Sequence, residues 1–128
     1  MIRFPALAAL AAFALAAPVL AAAAPAGSAP ATQPRFTIEQ QTAVRCSAAF
    51  AVVAAIQQQG GGTQYPPLAE RGREFFVRTA ARLMDDTGMD HDQVALALQG
   101  EAQALVADPG KLAAVMPACL VLLDSSGI

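Results

Sequence analysis

Cys46 and Cys119 are the residues of this chain best able to form a covalent bond, and they stand 73 positions apart. A redox enzyme keeps its two sulfurs close, as in Cys-x-x-Cys, so that they can exchange electrons with a substrate. Here each thiol lies in an apolar stretch instead, Cys46 ahead of Ala48 and Phe50, Cys119 ahead of Leu120 and Leu122. That setting predicts a structural disulfide; the alternatives are two free buried thiols or a bridge between chains. In the chain-entropy account, closing so long a loop stabilises by about 4 kcal/mol, less any strain in the native state.

Other candidate groups are charged. Arg45 is the one charged residue between Glu39 and Glu70, and it falls on an apolar helical stripe between Ile38 and Val52. Glu101 has a matching place among Val94, Ala97, Leu98 and Leu105. The two together would make a buried interhelical ion pair, since burying either alone costs several kcal/mol; the alternatives are that both heads reach solvent or mark a polar ligand site. Arg71, Arg78 and Arg82 border the stripe of another helix and could grip an anionic ligand or a partner's acidic face. Glu74, four residues before Arg78, argues instead for an ordinary surface pair.

Asp85, Asp86, Asp90, His91 and Asp92 crowd one turn. Carboxylates in a loop can hold calcium, but the spacing around Gly88 fails the EF-hand pattern of alternating oxygens closed by a glutamate. Asp90 and Asp92 are explained by the positive end of a helix dipole. Asp86-Thr87-Gly88 matches the tripeptide around the catalytic aspartate of aspartic proteases, yet over three residues only and without the strands of that fold. His91 could serve Ser47, Ser125 or Ser126 as a base, but no Gly-x-Ser-x-Gly elbow is present. Gly60-Gly61-Gly62 lacks the lysine of a phosphate loop and reads as a linker. No catalytic, cofactor-binding or metal-ligating residue is therefore assigned, and no cofactor is expected.

The elements that position these groups are helical. Thr37-x-x-Gln40 forms a capping box, and residues 41 to 56 contain neither Gly nor Pro. Ile38, Ala49, Val52, Val53 and Ile56 share one face of this first helix, with Cys46 and Phe50 at its margin. Ala43, Val44, Ala48, Ala51, Ala54 and Ala55 form the other side. A helix apolar almost all round belongs between neighbours. A second helix is expected from about Leu68 to Asp86, with Leu68, Gly72, Phe75, Phe76, Thr79 and Leu83 as its stripe and Gly88 as its stop. Asp90-x-x-Gln93 opens a third, which turns Val94, Ala97, Leu98, Ala102 and Leu105 inward. Asp108-Pro109 starts a fourth, carrying Leu112, Val115 and Met116, kinked at Pro117 and continuing to Leu123.

Upstream, Met1-Ile2-Arg3 carries one positive charge, and Ala6 to Leu20 is an uncharged run of Ala, Leu, Phe, Pro and Val. Ala21-Ala22-Ala23 then offers a small-residue cleavage site. This is the order of a secretory signal peptide over residues 1–23, in an apolar run too short to span a bilayer. Residues 24–35 read as a flexible linker and 36–128 as the helical domain. The formal charge is −2, or −3 without Arg3, which gives no footprint for nucleic acid and no case for an anionic membrane surface.

Tyr65-Pro66-Pro67-Leu68, Arg71-Gly72-Arg73-Glu74-Phe75-Phe76 and Pro117-Ala118-Cys119-Leu120 resemble segments of short exported proteins of Gram-negative bacteria that have no assigned activity. In architecture alone the chain is similar to periplasmic acid-stress chaperones of the HdeA type, which are helical, signal-bearing and held by one disulfide. The signal peptide implies a periplasmic or secreted protein, and the resemblance implies no activity and carries over no functional residue.

The expectation is thus an all-α domain of four helices, the last kinked at a proline, stapled by one disulfide. The leading function is an exported, non-enzymatic protein that binds a protein partner, as adaptor or stress-related accessory. The alanine side of the first helix also allows a homodimer. The rival is a metal-dependent or ligand-binding protein or enzyme using the acidic turn Asp86 to Asp92.

Overall fold

A computed structural model describes residues 35–128; the signal peptide and most of the linker read from the sequence lie outside the described residues. Four helices follow one another: α1 (Ile38–Gln58), α2 (Arg71–Thr87), α3 (His91–Ala107) and α4 (Pro109–Ser125). No strand occurs among the described residues.

Each helix begins where local chemistry offers a partner for its free N–H groups. Thr37 and Gln40 form the reciprocal capping box of α1, and Asp90 and Gln93 that of α3. The Asp108 carboxylate accepts from the Lys111 N–H at 3.0 Å, with Pro109 at the first helical position of α4. Gly88 ends α2 with a φ of +71°, a left-handed conformation that costs glycine little. Pro117 lies inside α4; its nitrogen has no hydrogen for the Ala113 carbonyl, the local cause of a kink. A larger change of direction falls at Asp108, where α3 and α4 meet at 119°.

α1 is the central element and packs on each of the other three helices. Cys46, Ser47, Ala48, Ala49 and Phe50 are all buried, more than one full turn, which requires neighbours on every side. One apolar cluster gathers Phe50, Val53, Leu68, Phe75, Leu105, Met116 and Leu123; another gathers Val44, Leu83, Met89, Val94 and Leu98. Phe50 and Phe75 meet edge to face, with ring centroids 5.3 Å apart.

Cys46 and Cys119 form the disulfide, across a Cα separation of 5.1 Å, and join α1 to α4. Both residues are 2% exposed, so the bond is part of the core.

Three expectations need correction. Ile38 is 80% exposed and Ile56 38%, because the stripe of α1 is covered only in its middle, at Ala49, Val52 and Val53. α2 starts at Arg71 rather than Leu68, because Leu68 is held by the end of α1: its N–H donates to Gln57 Oε1 at 3.0 Å. The alanine side of α1 is divided, with Val44 and Ala48 packed inside the domain and Ala51 and Ala55 exposed.

Among the described residues no single helix is long and apolar enough to cross a membrane; α3 and α4 together have the length and composition of a broken span.

Candidate functional site

A groove of about 710 Å³ lies beside the first turns of α1, between that helix, α2 and the C-terminal end of α4. α1 contributes Thr37, Ile38, Glu39, Gln40, Thr42 and Ala43. α2 contributes Phe75, Arg78, Thr79, Arg82, Leu83 and Asp86, all near one face because they recur every three or four residues. Leu122, Ser125, Ser126 and Ile128 close one end. The volume is that of a small-molecule site.

Burial divides the α2 residues into two levels. Phe75, Thr79 and Leu83 are buried and form the floor, while Arg78, Arg82 and Asp86 are exposed and form the rim. The closing tail is fixed by Arg71, whose Nε donates to the Ile128 carbonyl at 3.0 Å and whose Nη2 reaches Asp124 Oδ1 at 2.8 Å.

The three arginines that bordered α2 in sequence therefore have different roles. Arg71 holds the tail, and Arg78 pairs with Glu74 at 2.8 Å within its own helix. Arg82 is in none of the ion pairs formed among the described residues, nor are Glu39 and Asp86. The Glu39 carboxyl is held below its ordinary value of 4.5, first by backbone hydrogen bonding at its own position and then by the Thr37 hydroxyl, so Glu39 is anionic at neutral pH.

Arg45 and Glu101 are brought together, Nε to Oε1 at 2.8 Å, and link α1 to α3. Their side chains are 36% and 21% exposed, so the contact is half-buried and bridges the edge of the core. It lies outside the groove lining and next in sequence to Cys46, where it supports α1 against α3.

The acidic turn is not assembled into a site. Asp85, Asp86, Asp90, His91 and Asp92 are all exposed, and among the described residues no three His, Cys, Asp or Glu side chains gather closely enough to hold a metal ion. His91 Nδ1 lies 3.7 Å from Asp92 Oδ1 at the surface. Thr87 ends α2, its hydroxyl donating to the Leu83 carbonyl and accepting the Met89 N–H, so the Asp86-Thr87-Gly88 tripeptide is helix-stop chemistry. Ser47 is wholly buried and its hydroxyl has no hydrogen-bond partner, whereas His91 stands in solvent. That separates the serine from the histidine that could have activated it.

Sequence reasoning missed the groove, because its far end is made by the α4 tail folding back on α2. The sequence signal for its α2 side was the four-residue spacing of Arg78, Arg82 and Asp86 next to the Phe75, Thr79 and Leu83 stripe. Sequence reasoning also missed Gln57. The amide of that side chain donates to the Pro66 carbonyl at 2.9 Å and the Gly62 carbonyl at 3.3 Å while its oxygen receives Leu68 N–H, tying the glycine-rich connection to α1.

Compared with protein-family models, curated proteins and solved structures, the chain matches none.

Proposed function

We propose that the protein is exported to an oxidising compartment, the periplasm or the exterior, and acts there by non-covalent binding, as an adaptor or accessory rather than an enzyme. The observation that carries this reading is the groove. Its floor is largely apolar, and three charged residues of its lining, Glu39, Arg82 and Asp86, are engaged by no ion pair within the described residues. A cavity of that kind supplies burial and orientation, whereas catalysis needs a nucleophile, base or acid convergent on one point. The Cys46–Cys119 bond supports the compartment, because disulfides persist where thiols are not kept reduced.

The test uses an apolar dye whose fluorescence rises on leaving water. The oxidised protein takes up one dye per chain, saturably. Ala43→Trp, which fills the groove from α1, abolishes uptake without lowering the melting temperature. Uptake that never saturates, or that survives Ala43→Trp, overturns the assignment of the groove. Mass spectrometry of protein recovered from exporting cells gives residues 24–128 less two hydrogens; a full-length, fully reduced chain overturns the exported reading.

A further inference from the structure

The part of α4 that closes the groove is held differently from the rest of that helix. Cys119 is fixed by the disulfide and Leu123 is wholly buried, so α4 is anchored as far as residue 123. Beyond it Asp124, Ser125 and Gly127 are exposed, and Ser126 and Ile128 are half-buried. The chain turns at Gly127, with a φ of +74°, and Ile128 lies in the groove lining and against the first apolar cluster. Among the described residues one hydrogen bond reaches residue 128, from Arg71 Nε to its carbonyl at 3.0 Å. The same guanidinium meets Asp124 Oδ1 at 2.8 Å.

Arg71 is the first residue of α2, where a cation opposes the positive end of the helix dipole. Its two contacts with the tail account for it there, and a planar guanidinium can meet a carboxylate and a carbonyl at once. The side chains of Arg71 and Asp124 are 39% and 70% exposed, so water competes for the pair and salt screens it. A contact of that strength is too weak to hold the tail permanently shut. Resting on the groove as the binding element, we propose that Asp124–Ile128 is a latch on it and Arg71 the catch. With the catch made, Ser125, Ser126 and Ile128 close the end of the groove. With it broken, they swing away about Leu123, the end opens to a guest, and closure then encloses that guest. The latch responds to ionic strength because its catch is a screened ion pair, while the disulfide keeps the rest of α4 in place.

The experiment follows Nile red, an uncharged apolar dye, by stopped flow into the full exported, oxidised protein. Between about 0.01 M and 1 M salt the association rate rises about threefold. Arg71→Met and Asp124→Asn each give the faster rate already at low salt, and neither responds to added salt. Their dissociation rates rise as well, so affinity falls. An end wall that never opens would alter dissociation alone. An association rate unchanged by both variants, or by salt in the unmodified protein, therefore overturns the latch. Amide exchange at Ser126, whose N–H donates to the Leu123 carbonyl at 3.2 Å, reports the tail without any dye. It accelerates about threefold under the same changes, and exchange indifferent to them also overturns the latch. Saturable uptake that Ala43→Trp blocks, at rates indifferent to Arg71→Met, leaves the groove standing and removes the latch. No uptake at all, with Ser126 exchange still following salt, removes the groove and the latch with it.

Discussion

Gly72 of α2 lies against Phe50 of α1 so closely that a Cβ at position 72 would sit 2.9 Å from the Phe50 Cβ. Real Cβ atoms do not approach backbone-proximal carbons to that distance, so the two helices can cross here only because residue 72 has no side chain. Gly100, in the middle of α3, is the opposite case: a Cβ there would meet nothing within 4 Å.

These two glycines give opposite signs for one substitution. Alanine in a helix gains about 1 kcal/mol over glycine, while overpacking a core contact costs about 1–3 kcal/mol. Gly100→Ala raises stability by about 1 kcal/mol, and Gly72→Ala lowers it by up to about 2 kcal/mol because α2 must move off α1. Denaturant unfolding of both variants checks the pair; a stabilising Gly72→Ala would show that the crossing has room.

Gln57→Ala releases the connection between α1 and α2. The lost bonds join one amide to several backbone groups, and removing them costs about 1–3 kcal/mol. Limited proteolysis between residues 59 and 66 accelerates accordingly. Gln57→Glu is also unstable, since a carboxylate can still accept from Leu68 but cannot donate to the Pro66 carbonyl.

Arg45→Met and Glu101→Leu, singly and together, measure the α1–α3 ion pair. With side chains 36% and 21% exposed, the pair is screened by solvent, and its coupling energy is about 1 kcal/mol or less. It shrinks in 1 M salt, where the screening length falls to about 3 Å. A coupling of several kcal/mol, indifferent to salt, would place the two charges in a dry interior.

Replacing both cysteines by alanine lowers the unfolding free energy by up to about 4 kcal/mol, the loop-closure entropy restored to the unfolded chain. Chemical unfolding of oxidised wild type against the double variant provides the comparison, and helical circular dichroism shows whether the four helices persist without the bond.

Much of this fold was legible in local signals. Thr37 with Gln40, Asp90 with Gln93, and Asp108-Pro109 each satisfy backbone groups within a few residues, so their chemistry is complete in the sequence. The stripes of α2 and α3 were legible because one side of each meets the core. The cysteine pairing followed from there being only two. Ile38, Gly72 and Gln57 were not legible, since each depends on what arrives from elsewhere in the chain: nothing over Ile38, Phe50 against Gly72, and the Leu68 strap beneath Gln57. The groove is of the same kind. The face bearing Phe75, Arg82 and Asp86 becomes one side of a groove only when the α4 tail, held at Ile128 by Arg71, folds back on α2.

The sulfur bridge makes residues 46–119 a covalent ring. Both outer walls of the groove, Thr37 to Ala43 and Leu122 to Ile128, lie outside that ring, while its floor on α2 is inside. The disulfide therefore fixes the floor covalently and leaves the two walls to non-covalent anchors, the Thr37–Gln40 box on one side and the Arg71 contacts with Asp124 and Ile128 on the other.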